Sequence, residues 1–300
     1  MYFTHLVKLG ATLLPNDWAD GHEVRRVLGS VDILKNQRRI RYFETMIINR
    51  AEVTDEEWQV IYGILQLNER AYTGSEESCR RFVNAVLWIL RSGAQWRLLP
   101  PSRGKWNSVF KRFSSWCSHD IWDDLHRSCI RQPDLQSVFI DSTVVRAHAC
   151  AAGAAGSTAE SESLGRSKGG YSTKIHAVTD GLGYPIDFTL TGGQSSDIGQ
   201  AQALLELTPT GTEALMADKG YDCDAFILAI ESQDMNAVIP PKSNRVHPQH
   251  CDFFAYKERH LIECFFGKIK HYRRIFSRFE KKAQNYMGFI RFVSALIWLR

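Results

Sequence analysis

Paired cysteines are missing from this chain. Its seven cysteines, at 79, 117, 129, 150, 223, 251 and 264, are scattered, with no C-x-x-C. That pattern excludes a disulfide framework, argues against a cysteine zinc site and predicts reduced thiols in a cytosolic protein. Histidines at the metal-ligand spacing H-x-x-x-H are also missing, His148 and His176 included, which weakens a zinc reading further. No apolar run reaches the roughly 18 residues of a membrane span, and no signal peptide stands out. The expectation is a soluble intracellular protein with no membrane partner. The last absence is local: between residues 79 and 119 there is no Asp or Glu, although Arg80, Arg81, Arg91, Arg97, Arg103, Lys105, Lys111 and Arg112 all fall there.

What is present fits a folded chain of one large or two ordinary domains, with 300 residues, 44% hydrophobic and 23% charged. The net charge of +4 hides a second basic block, residues 256–282, with nine Lys or Arg against three Glu. One such block is an ordinary solvated helix face. Two of them, each interleaved with Trp, Phe or Tyr, favour contacts with a polyanion, nucleic acid above all.

Residues 1–50 show no sustained period and read as an N-terminal extension of unknown role. From Thr54 the pattern is regular. "TDEEWQVIYGILQL" opens with the capping-box pair Thr54 and Glu57. "CRRFVNAVLWILRSG" reads as a second helix closed by Gly93, "NSVFKRFSSWCSHD" as a third and "IWDDLHRSCIR" as a fourth. Short helices, tight connections and a basic third helix describe a helix-turn-helix module over residues 51–132, or else a plain helical bundle. Residues 133–300 change character. "LQSVFIDSTVV" reads as a strand, "AHACAAGAAGSTAESESLGRSKGG" as a mobile loop, and "YSTKIHAVTD" with "YPIDFTLT" as a hairpin. Helix, strand, helix, strand and helix follow. This order predicts an α/β domain with a mixed sheet covered by helices.

In such a sheet, functional groups gather beyond strand ends. Asp141 follows the apolar Val138, Phe139 and Ile140, and Asp218 follows Leu215, Met216 and Ala217. Two carboxylates on neighbouring strands repel, which raises a pKa or recruits a cation. Mg²⁺ takes oxygen ligands and needs few carboxylates when phosphate supplies the rest. A third acid is then expected, and Glu263 is the candidate. Asp180, Asp187, Asp197, Asp222 and Asp224 read as turn and cap residues. Residues 256–274 read as one helix. Tyr256, Arg259, Glu263 and Lys270 fall in one wedge of it, and Leu261, Phe265, Ile269, Tyr272 and Phe276 form an apolar face beside them. An Arg259–Glu263 salt bridge at i and i+4 accounts for part of this pattern.

The spacing Y-x2-R-x3-E-x6-K resembles the signature around the last acid of bacterial insertion-sequence transposases of the DDE class. "FIDSTVVRAH" and "MADKGYD" resemble the segments carrying their first and second acids. "GRSKGGYSTKIHAVTDGLGYPIDFTLTGGQSSD" is similar to the insertion-sequence-five family, as are "LWILRSGAQWRLLP" and "WNSVFKRFSSW" upstream. The resemblance runs from about Val53 to Arg300. It implies a compact RNase H-like catalytic core with Asp141, Asp218 and Glu263 as catalytic acids holding two Mg²⁺ or Mn²⁺. Arg259 and Lys270 would bind phosphate or orient Glu263, with Tyr256 in support. It implies a DNA transposase that cleaves element ends and joins their 3′-OH groups to target DNA. The alternatives are an inactive transposase-derived DNA-binding protein, or an RNase H-like nuclease or resolvase. The expected partner is double-stranded DNA, as terminal inverted repeats and target, bound by a homodimer in the bacterial cytoplasm or nucleoid. The candidate DNA contacts are Arg103, Lys105, Trp106, Asn107, Lys111 and Arg112 in the helical module, with the helix over residues 106–116 reading base edges. Lys268, Arg273 and Arg274 are the candidates beside Glu263.

Overall fold

The computed structural model describes residues 52–167 and 169–300; the N-terminal extension lies outside them. Four helices come first: α1 (Asp55–Leu67), α2 (Glu76–Ser92), α3 (Trp106–Ser118) and α4 (Ile121–Cys129). The ends of the first two follow from local chemistry. Thr54 and Glu57 form the reciprocal capping box of α1, and the Ser75 side chain caps α2. Gly93 ends α2 with φ of 70°. A side chain there would be strained, and its Cβ would stand 2.9 Å from Cβ of Arg273. α2 buries Val83 through Leu87 without a break, so its middle is covered on most sides, while Glu77, Arg81 and part of Trp88 keep one stripe open to solvent.

The sheet follows: β1 (Val138–Ala147), β2 (Gly165–Ser167), β3 (Gly170–Thr179), β4 (Pro185–Gly192), α5 (Ala201–Glu206), β5 (Ala214–Met216), α6 (Asp224–Glu231) and β6 (Asn236–Val238). Then come α7 (Phe253–Tyr256), α8 (His260–Lys270), α9 (Arg273–Phe276), the short β7 (Ser277–Arg278) and α10 (Ala283–Leu299). β1 is central. It pairs antiparallel with β3 from Phe139↔Thr179 to Arg146↔Ser172, and parallel with β5 only at Val138↔Leu215 and Phe139↔Met216. β6 adds parallel to β5, while β4 and β2 share the outer edge of β3. This mixed sheet flanked by helices fits an RNase H-like core.

Side-chain alternation along β1 sends its residues into two cores. Val138 and Ile140 join α5 and α6 through Leu204, Leu205, Phe226 and Ile230. Phe139 and Val145 join a larger core on the other face, which includes Phe265 and Ile269 of α8, Phe289 and Phe292 of α10, and Phe82, Phe113 and Trp122 of the first helices. Residues 51–300 therefore form one compact unit, and the change at about residue 132 is one of secondary structure rather than of packing.

Several expectations are corrected. Asp141 is not at a strand end: β1 continues to Ala147 because its hairpin partner β3 does. What ends at that level is β5, so the edge of β1 beside Asp141 loses its parallel neighbour. Residues 256–274 are not one helix. Asp252 caps α7, a 3-10 turn (Lys257–Arg259) follows, and α8 and α9 are separate. The apolar face of this segment uses Ile262 and Phe266 as well as Phe265 and Ile269, while Phe276 is exposed. The small-residue stretch after His148 carries β2 and a 3-10 turn, and buries Ala151 and Leu164. Trp116 of α3 is buried among Phe82 and Trp122, so it cannot read bases.

Candidate active site

Arg259 ties the site together. Its guanidinium donates to Oδ2 of Asp141 at 2.7 Å and to Oε1 of Glu263 at 2.5 Å. The backbone stays right-handed helical through Arg259 and His260, so the i to i+4 spacing brings Glu263 to the guanidinium that also reaches Asp141. The Asp141 half of the bridge is sheltered, with side chains 16% and 18% exposed, whereas Glu263 is 58% exposed and its half is screened by water. The Tyr256 ring backs the guanidinium, centroid to Cζ 5.7 Å. Lys270, two turns on, donates to Oγ1 of Thr143 at 2.5 Å. Thr143 lies on the same face of β1 as Asp141, by strand alternation.

Asp218 stands two residues beyond β5, where its side chain accepts from Gly220 N–H at 2.8 Å and caps the turn Lys219–Tyr221. Burial pushes the Asp141 carboxyl up to about 6; its hydrogen bond from Ser142 N–H and the Arg259 charge oppose this, and the nearby Asp218 charge adds to it. Burial outweighs the ion pair. The structure thus brings Asp141, Arg259, Glu263, Tyr256 and Lys270 to one place and sets Asp218 within electrostatic range. The hairpin turn of β3 and β4 closes on α8 beside them: at Gly183, φ 78°, a Cβ would meet the Leu261 carbonyl at 2.9 Å.

Among the described residues, no three His, Cys, Asp or Glu side chains stand close enough to share one ion. The donor chemistry still suits a hard divalent cation. It is all carboxylate oxygen, two acids are near enough for one to oppose ionisation of the other, and a guanidinium fills the place of positive charge between Asp141 and Glu263.

Residues 53–126 match a family described as "Putative transposase of IS4/5 family", and residues 132–249 and 215–300 match families described as "Transposase DDE domain". A protein of Brucella ovis, "Putative transposase for insertion sequence element IS6501", is 42% identical over 130 residues, which are 43% of this chain and 98% of that one. The chain belongs to the DDE-class insertion-sequence transposases. A second relative, "Putative transposase for insertion sequence element IS402" of Burkholderia cepacia, is 27% identical over 135 residues, 42% of this transposase and 62% of the relative. A solved structure, the piggyBac transposase synaptic complex with hairpin DNA, overlaps 67% of this chain and 51% of its own at 15% identity. Its TM-score of 0.37 is too low to carry any argument.

The basic residues of the transposase divide into two sets. Lys105, Lys111, Lys268 and Arg273 are exposed. Arg112 instead donates to the Tyr72 and Thr73 carbonyls at 2.7 and 3.2 Å and lies over the Phe82 ring at 4.2 Å. Arg274 is buried, bonded to Glu280 at 2.9 Å and to the Ala94 carbonyl at 2.7 Å. Both are spent on internal contacts as they stand. Arg103 is half-buried and paired with Glu52 at 2.9 Å, and Trp106 and Asn107 are half-buried.

The sequence reading missed Thr143 and the acids that are more than turn formers. Period-2 alternation from Asp141 already pointed to Thr143. Asp187 is buried, accepting from Arg291 and, at 2.9 Å, from Arg127. Asp197 accepts from the Ser142 hydroxyl at 2.5 Å and from Lys174 at 3.1 Å. These partners come from distant segments, and nothing local announces them.

Proposed function

We propose that this chain binds the ends of an insertion element, hydrolyses a phosphodiester there in a metal-dependent reaction, and joins the freed 3′-OH to target DNA. The observation that carries this reading is the bridge from Asp141 through Arg259 to Glu263, with Asp218 beside it. Two acids from separate segments meet on one guanidinium, and Asp218 lies close enough to act on the Asp141 charge. Asp141, Asp218 and Glu263 would hold two Mg²⁺ or Mn²⁺, which when bound activate a water or 3′-OH and stabilise the leaving oxygen. The rest falls to the protein. Arg259, turned from the carboxylates to DNA, presents a planar fork suited to bidentate phosphate binding. Tyr256 limits where that fork can swing. Lys270, resting on Thr143, offers a point charge to the backbone next to the cut.

The helical segment over residues 51–132 reads element-end sequence as a helix-turn-helix-like module, and residues 133–300 carry the chemistry. Lys105 and Lys111 lead the phosphate contacts of the first part, and Lys268 and Arg273 those of the second, because these four are exposed. Arg112 and Arg274 drop out. Two ends must be processed together, so the working form on DNA is a homodimer, acting in the cytoplasm at the nucleoid.

The test is an incubation of purified protein with labelled element-end DNA, a target plasmid and Mg²⁺. Joined products support the proposal. Cleavage without joining makes the protein a hydrolytic nuclease, and binding alone makes it an inactive DNA-binding derivative.

A further inference from the structure

A polar cluster lies on the far side of β1 from Asp141. Ser142 faces it, opposite His176 in the β1–β3 register, and Lys174 is two residues away on the same face of β3. Asp197, at the start of the turn Ile198–Gln200, is the centre. It accepts from Ser142 Oγ at 2.5 Å and from Lys174 Nζ at 3.1 Å, and Lys174 also donates to the Ser195 carbonyl at 2.7 Å. His176 is fully buried, with Nε2 2.8 Å from Thr191 Oγ1 and Nδ1 4.0 Å from Asp197. The surrounding face is apolar, lined by Ile140, Val178 and Ile186. Lys174 is buried, so its charge needs this partner, while the Asp197 side chain remains 31% exposed.

We propose that Asp197 is a positioning residue that acts through Ser142 on the carboxylate of Asp141. Ser142 makes both links: its hydroxyl donates to Asp197, and its N–H donates to Oδ1 of Asp141 at 2.7 Å. The link matters because of where β5 stops. Parallel pairing to β1 ends at Phe139↔Met216, so at Asp141 the strand is held on one edge only, by β3. The Ser142–Asp197 bond supplies the missing restraint from below the sheet. Asp197 is itself held by Lys174, at 3.1 Å. The inference rests on the proposed metal-dependent chemistry, in which Asp141 is a ligand.

The test measures Mn²⁺ binding to the full chain without DNA, by electron paramagnetic resonance, beside single-turnover cleavage of an element end. Ser142→Ala and Asp197→Ala are each expected to weaken Mn²⁺ binding about tenfold and to slow cleavage about 10- to 100-fold, the usual cost of losing a support behind a ligand. The double variant should be no worse than either single one, since both remove the same bond. Ser142→Thr, which keeps the hydroxyl, should restore most of both readouts. Losses that multiply in the double variant, or Mn²⁺ binding unchanged in both singles, would overturn the proposal. Should Asp197→Ala fail to fold, Asp197→Asn keeps an oxygen for the Ser142 hydroxyl; Mn²⁺ binding within about threefold of the parent supports the link, and a tenfold loss sinks it. A parent protein that neither binds Mn²⁺ nor cleaves overturns the underlying functional reading, a result distinct from any of these.

Discussion

Replacing Phe289 by alanine should destabilise the helical segment and the sheet domain together. Phe289 is fully buried on α10; its ring stacks on Phe113 of α3 at 4.5 Å and lies 6.1 Å from Trp96. The same core continues to Phe265 of α8 and to Phe139 and Phe188 of the sheet. Truncating a buried phenylalanine costs about 3–5 kcal/mol, of which an aromatic pair accounts for roughly 0.5–1.5. For a unit of this size each kcal/mol moves Tm by about 2–4 °C, so a fall of roughly 6–20 °C is expected. Thermal unfolding followed by calorimetry, tryptophan fluorescence and far-UV circular dichroism would measure it. Six tryptophans, at 58, 88, 96, 106, 116 and 122, lie in the helical segment, so fluorescence reports mainly on that part. Both optical signals should move together in one transition. A fluorescence shift with the strand signal left in place would refute the shared core.

Exposure separates the basic residues. Lys111→Ala or Lys105→Ala should weaken binding to any DNA sequence and reduce the salt slope by about 0.9, one phosphate contact each, as read by titration at several salt concentrations. Arg112→Ala should instead lower Tm, because its carbonyl and ring contacts are internal. Arg259→Lys loses the fork that spans Asp141 and Glu263, so single-turnover cleavage should fall about 10- to 100-fold with the fold intact; an unchanged rate contradicts the role given to it. Acid should cost stability through two histidines that burial holds low, His126 at about 3 and His176 at about 4. Their folded values lie below the unfolded 6.5, so this stability is complete above about pH 6.5 and is lost as pH falls towards the folded values, roughly 1.4 kcal/mol each by pH 5.5. Asp141, pushed up to about 6, works in the opposite sense, so the comparison to make is between variants. In urea unfolding at pH 7.5 and 5.5, His126→Gln should lose about 1.4 kcal/mol less than the parent, and an equal loss would remove His126 from the account.

Local chemistry made much of this fold legible. The capping box at Thr54 and Glu57, the stop at Gly93 and the hairpin of β3 and β4 all depend on neighbours in sequence. The resemblance singled out Arg259, Glu263 and Lys270 together with Asp141, and the fold places Arg259 against Asp141 and Glu263 and Lys270 against Thr143. What stayed hidden depends on distant partners. Strand length is set by pairing, so Asp141 could not be placed within β1 until the extent of β3 was known. Arg112 and Arg274 carry the same charge as Lys111 and Arg273, and only the arrival of Tyr72, Phe82, Ala94 and Glu280 turns them inward. Asp197 resembles any loop acid until Ser142 and Lys174 reach it. The break at Tyr272, where the backbone turns extended between α8 and α9, has no compositional mark either.

The most direct measurement is single-turnover nicking of a labelled element end in Mg²⁺ by Asp141→Asn, Asp218→Asn and Glu263→Gln, each of nearly unchanged shape. On the proposed assignment, losing one of these carboxylates removes several kcal/mol of transition-state stabilisation, on the order of 10³ in rate, while DNA binding stays within a few-fold. All three variants should fall in this way. Any one of them nicking at the parent rate would contradict the assignment of the site.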